Sequence, residues 1–196
     1  MWDSYDDIED VLEAAHKYDM PGPVSVIRLM ITSPRFLHDP LRLFAVAARF
    51  DWGEEAKLAS RLTLTLSIHD KKYETTLKRL SSPYLLKLMN LHRTRITKFR
   101  GLIDSNEYFE RGNHKPHCDC GERDDTKFWW KLKATMTAEM DKRPMGDTLL
   151  GGQFQEWPEA TVCWDAKCSR CSKTLYSKDA TMKTIESCLC LLPASI

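Results

Sequence analysis

The sequence contains no run of 18 apolar residues, so no segment reads as a membrane-spanning helix. Its first twenty residues carry seven acids against Lys17 alone and lack an apolar core segment, a pattern that does not fit a secretory signal. There is no internal repeat and no low-complexity stretch. Catalytic signatures are missing too. No G-x-S-x-G elbow, phosphate-binding loop, dinucleotide fingerprint or H-E-x-x-H helix occurs, and a protein that is not an enzyme is expected. His117 beside Cys118 is the nearest approach to a base and nucleophile, but sequence neighbours seldom have the geometry such a pair needs. A net charge of +1 offers no global attraction for nucleic acid or a membrane surface.

What is present is ordinary for a globular protein: 42% hydrophobic and 29% charged residues, enough in 196 residues to bury one domain or two small ones. Seven cysteines without a signal favour reduced thiols or bound metal over disulfides, in a cytoplasmic or nuclear setting.

Hydropathy periodicity predicts an all-α fold. Ser4 is placed to cap a helix, with Asp7 closing a capping box, and Ile8, Val11, Leu12, Ala15 and Tyr18 follow at helical spacing. Pro21 stops that helix and Pro23 opens another, whose apolar side is Val24, Ile27, Leu29 and Met30. Asp39 and Pro40 start a helix running to about Phe50, Gly53 breaks the chain, and a helix from Glu54 through Leu62 follows. A further run passes Tyr73, Leu77 and Leu80. Ser82 and Pro83 cap and start the longest helix, about 84–104. After a polar linker from Ser105, a helix at about 126–142 carries Phe128, Trp129, Leu132, Met136 and Met140 on one face. Asp147 is placed to cap a short helix toward Trp157.

SYDDIEDVLEAAHKYDMPGPVSVIRLMI, residues 4–31, resembles the final helical hairpin of a BTB (POZ) domain. DPLRLFAVAARFDWGEEAKLASRLTL, from Asp39, resembles the region after BTB domains in fungal, basidiomycete-type proteins, which is similar to the helical BACK extension of BTB adaptors. The spacing of Phe44, Ala47, Trp52, Glu55, Ala56 and Ala59 carries that second match. The resemblance implies stacked helical hairpins: a BTB-like terminal hairpin over 1–35, a BACK-like extension over 36–107, and a Cys-containing subdomain over 108–196. It implies an adaptor that binds proteins, with a cullin-type ubiquitin ligase scaffold or its substrate as partner. The sheet part of a BTB domain would precede Ser4, so BTB-type homodimerisation is not expected, and the hairpin's outer apolar face is expected to be bare or covered by a partner.

The strongest chemical signal is a pair of thiol clusters, Cys118/Cys120 and Cys168/Cys171. Zinc takes four thiolate or imidazole ligands at tetrahedral angles, and C-x2-C supplies two from one turn. The second cluster has that spacing; the first is C-x-C, although His117-x2-Cys120 restores the usual gap, so His117 competes with Cys118 as ligand. Cys163 is a further substitute. Similar fungal BTB proteins carry a C-x2-C pair, an aromatic helix beginning with Trp, a P-x-G turn and a second C-x2-C. Here Trp129-Trp130, Pro144-x-Gly146 and Cys168/Cys171 stand in that order. A closed four-ligand site would be structural, joining a subdomain with little core of its own. Cys188 and Cys190, in an apolar run, read as packing residues.

Residues 75–103 carry seven Lys or Arg and no acid. At 100° per residue, Leu85, Met89, His92, Ile96, Phe99 and Ile103 form one buried stripe of the long helix, which makes His92 a core histidine. Lys87, Arg93, Arg95, Lys98 and Arg100 spread over its flanks and outer face, as solvated side chains with snorkelling stems would. A zinc-stabilised nucleic-acid binder using 78–100 is the competing functional reading.

Overall fold

The computed structural model describes residues 4–109, 113, 118–123 and 126–196. The fold is all-α. Among the described residues there is no strand; Lys167 and Thr174 form an isolated antiparallel bridge. No described helix is long and apolar enough to cross a membrane. The chain forms two compact units, Met1–Leu64 with Ile68–Asn90 and Ala194–Ile196, and Thr65–Ser67 with Leu91–Pro193.

The first unit opens with α1, Tyr5–Lys17, whose first turn is capped as its residues dictate: Ser4 Oγ accepts the Asp7 N–H at 3.2 Å, and the Ser4 hydroxyl donates to Asp7 Oδ2. Ile8, Leu12 and Ala15 are buried together with Tyr5, whose hydroxyl donates to the Phe36 carbonyl at 2.8 Å. Tyr18, expected on that face, is instead 68% exposed, because the helix has ended and Asp19 turns the chain with φ of 50°. α2 spans Pro21–Met30, so Pro21 opens it rather than stopping its predecessor; a proline N-terminal helical position has no N–H to lose. Its buried side is Ile27, continued by Ile31, while Leu29 is 79% exposed and Val26 and Met20 are exposed too. An uncovered apolar surface on this hairpin is therefore present.

α3, Pro40–Arg49, is capped by Asp39 Oδ1, which accepts from the Arg42 N–H at 3.1 Å, and buries Leu41, Leu43, Phe44, Val46 and Ala47. α4, Gly53–Thr63, starts on the glycine itself, with Trp52 at the N-cap, and packs Ala56 and Ala59 against α3. Small residues there let two helix backbones approach closely. Arg28 of α2 holds Glu55 of α4 through Nε (2.6 Å) and Nη2 (2.9 Å). Arg42 bridges α1 by bonding Asp6 and Glu9. A 3₁₀ turn, Lys71–Tyr73, leads into α5, Glu74–Lys78.

α6, Ser82–Asp104, contributes its start to the first unit and its remainder, from Leu91, to the second. Its buried residues are Leu88, Leu91, His92, Arg95, Phe99 and Ile103. His92, Phe99 and Ile103 match the expected stripe. Met89 does not, being exposed, and Arg95, expected on the solvated flank, is 4% exposed. In the second unit α7, Lys127–Lys142, presents Trp129, Leu132, Met136 and Met140 to the core, with Phe128 partly buried beside them. A left-handed Gly146 (φ 76°) then turns the chain into a 3₁₀ turn, Asp147–Leu149. α8 (Gly152–Gln155), α9 (Pro158–Asp165) and α10 (Lys178–Cys190) complete the unit. Its core also takes in Phe109, Phe154, Cys163, Tyr176, Ile185 and Cys188, so the expectation of little core was wrong: all five helices from α6 to α10 supply one. Cys190, read as a packing residue, is exposed.

Candidate metal centre

Two tight loops of the second unit carry the thiols. In the first, the Gly121 N–H donates to the Cys118 carbonyl and the Cys118 N–H to the Glu122 carbonyl, both at 2.8 Å. Gly121 sits at φ 87°, where a side chain would be strained. In the second, the Cys168 N–H bonds the Lys173 carbonyl and the Ser172 N–H bonds the Cys168 carbonyl, each at 2.9 Å. The Lys167–Thr174 bridge closes its base. Arg170 Nη1 reaches across to the Cys120 carbonyl at 3.3 Å.

The four sulfurs of Cys118, Cys120, Cys168 and Cys171 lie within 4.8 Å of one another. Cys118 approaches Cys171 at 3.5 Å and Cys120 approaches Cys168 at 3.6 Å. A tetrahedron with metal–sulfur bonds of about 2.3 Å has edges of roughly 3.8 Å, so the donor set fits a tetrahedral thiolate ion. Cys118 and Cys168 are buried at 3% and 4% exposure, and Cys120 and Cys171 are half-buried. The backbone N–H groups of the second loop prepare it for negative charge. The Cys171 N–H, then Arg170's, bring the Cys168 thiol down to about 7. The Lys173 N–H favours the Cys171 thiolate in the same way, but burial and the three neighbouring thiols outweigh it and push Cys171 up to about 12. Cys120 and Cys171, both raised among their neighbouring thiols, therefore hold their protons until a cation replaces them.

Cys163, offered as a substitute ligand, is not part of this group; it is buried in the core, where desolvation pushes its thiol up to about 12. His117 lies outside the described residues. Sequence reasoning missed a polar cluster that joins α6 to α7. Lys133 Nζ, on a nearly fully buried side chain, donates to Asp104 Oδ1 (2.6 Å) and Asn113 Oδ1 (2.8 Å), and the Trp129 indole N–H donates to the same Asn113 oxygen at 2.9 Å. Asn113 Nδ2 in turn bonds the Ile103 carbonyl at 2.9 Å. A lysine at i+4 from Trp129 on the core face of a helix was the only local signal for it.

Comparison with known protein families, with curated protein sequences and with solved structures returns no match to this chain.

Proposed function

We propose that the protein is a non-catalytic helical interaction module of the BTB-adaptor type, in which a structural zinc ion held by Cys118, Cys120, Cys168 and Cys171 joins two loops of the second unit. The observation that carries the metal half is the convergence of four thiols from loops some fifty residues apart. Soft thiolates in a tetrahedral set select zinc over the hard cations magnesium and calcium. Four protein ligands leave no open coordination position, so the ion organises structure and activates no water. The adaptor half rests on the resemblance at residues 4–31 and from Asp39, and on Tyr18, Met20, Val26 and Leu29 standing exposed on the first hairpin. Its partner is a protein, a cullin-type ligase scaffold or its substrate in the resemblance.

The nucleic-acid reading of 78–100 is less well supported, because many of its cations are engaged. Lys78 pairs with Glu74 (2.7 Å), Arg79 with Glu9 (3.1 Å) and Arg100 with Asp141 (3.6 Å), and Arg95 is buried. The test is the metal content of the full chain purified without chelator, beside Cys168→Ser and Cys171→Ser. About one zinc per chain is expected in the parent and a large loss in either variant; a metal-free parent that is folded and fully reduced would refute the site. Binding to a mixed-sequence duplex that falls steeply between low and moderate salt would restore the nucleic-acid reading.

A further inference from the structure

We propose that the four-thiol cluster is a redox-exchangeable clip: a hydroperoxide expels the metal and converts the ligands into two disulfides across the loops, Cys118–Cys171 and Cys120–Cys168. Only the metal-release half rests on the zinc reading above; the pairing rests on the positions of the sulfurs.

All four sulfurs lie within 4.8 Å of one another, and two observations favour the cross-loop pairing. The close sulfur contacts, 3.5 and 3.6 Å, both join one loop to the other. A bond inside Cys118-Asp119-Cys120 would span a single residue within a turn already held by Gly121 and Glu122, where the ring closes only with strain. If Cys118 and Cys120 cannot pair with each other, full oxidation sends each of them to the second loop. There, Cys118 meets Cys171 and Cys120 meets Cys168.

Access divides the roles within each pair. Cys171 and Cys120 are half-buried, whereas their partners Cys118 and Cys168 are buried. Each disulfide thus joins one half-buried cysteine, the side from which a small oxidant would approach, and one buried cysteine. The accessible thiolate attacks the peroxide, forming an S–O bond as the O–O bond breaks, and leaves a sulfenic acid and one water after protonation. The buried thiolate then attacks that sulfur, forming the S–S bond and displacing hydroxide, which leaves as a second water. Each pair gives two electrons to one peroxide and takes up two protons. Two peroxides and four protons therefore convert the four thiolates into two disulfides and four waters, and the zinc ion leaves without its ligands. The loops stay joined in both states, so the device releases metal without opening the unit.

The test exposes the zinc-loaded full chain to hydrogen peroxide, follows zinc with a colorimetric chelator, blocks remaining thiols by alkylation, and maps disulfides by mass spectrometry. Trypsin cuts at Arg170 and an Asp-specific protease cuts before Asp119, which puts the four cysteines on separate peptides. Expected are release of the zinc, an intact mass lower by about 4 Da from two disulfides, linked peptides for Cys118–Cys171 and Cys120–Cys168, and recovery of zinc binding after a thiol reductant. In Cys118→Ser/Cys171→Ser, which leaves one proposed pair, the Cys120–Cys168 bond is expected to form; in Cys118→Ser/Cys168→Ser, no Cys120–Cys171 bond is expected at the same peroxide dose. Bonds within a loop, the opposite cross pairing, or sulfinic acids without disulfides would overturn the proposal while leaving the zinc site standing. Cross-loop bonds in a parent that never held zinc would sink the metal reading and keep the pairing.

Discussion

Arg95 offers the sharpest test of how the second unit is held. Its guanidinium donates from Nε to the Pro144 carbonyl (2.6 Å), from Nη2 to the Met145 carbonyl (3.0 Å) and from Nη1 to the Pro193 carbonyl (2.6 Å). One side chain on α6 thereby ties down the turn after α7 and the chain end beyond α10. Arg95→Met keeps a stem of similar length and removes all three donors. Each carbonyl left unsatisfied in a buried setting costs about 1–1.5 kcal/mol, and relief from no longer burying a cation offsets part of the sum, so a net loss of about 3 kcal/mol is expected. Arg95→Lys keeps the charge but not the fork, recovers one carbonyl, and should lose about 2 kcal/mol. The assay is urea unfolding followed by tryptophan fluorescence and far-UV circular dichroism, comparing midpoints at unchanged slope. A solvated arginine would move stability by no more than about 0.5 kcal/mol. A midpoint for Arg95→Met within that range would refute the three-carbonyl tie and return Arg95 to the surface.

Two further outcomes follow from the packing. Gly146→Ala should destabilise by about 2–4 kcal/mol, since the residue sits at φ 76° and a Cβ there would stand 2.5 Å from Leu189 Cδ2; Leu189→Ala in the same background should recover the steric part, and additive losses in that double-mutant cycle would disprove the contact. Arg28 holds the Glu55 carboxyl below its ordinary 4.5 through the paired hydrogen bond. Because the folded value is the lower one, the pair's stability is present above pH 4.5 and is lost as pH falls through the folded value; Glu55→Gln should flatten the acid limb of a stability–pH curve, and an unchanged limb would show that the pair contributes nothing.

Helix caps and single-core faces were legible in the sequence because their causes are local. Ser4 and Asp39 stand where their oxygens meet an N–H three residues on. Trp129, Leu132, Met136 and Met140 recur at the period that one buried face requires, and all are fully buried. The long helix was read less well because it serves two cores. A single stripe assigned Met89 to the interior, yet Leu88 and Leu91 take those places. Arg95 was invisible to any local pattern, since its partners lie 49, 50 and 98 residues away. All four thiols stood out in the sequence as two clusters, although the choice among neighbouring candidates did not. The C-x2-C spacing marked Cys168 and Cys171, but Cys163 offered the same chemistry and only the course of the chain separates it, placing it among apolar side chains.

The core of the second unit changes what a metal ion there has to do. A subdomain with few apolar contacts needs its metal in order to fold at all. Here Trp129, Leu132, Met136, Phe154, Ile185 and their neighbours already enclose a continuous core, and Cys118 and Cys168 are themselves part of its wall. Hydrophobic burial on that scale stabilises the helices whether or not the thiols hold an ion. The ion's contribution then falls on the two loops at 118–122 and 166–175, whose short turns bury little besides the sulfurs, Ala166 and Leu175. A clip confined to two loops on a self-sufficient core can exchange its chemistry, from thiolate–metal to disulfide, without the unit losing its fold. A metal on which the whole unit depended could not be exchanged in this way.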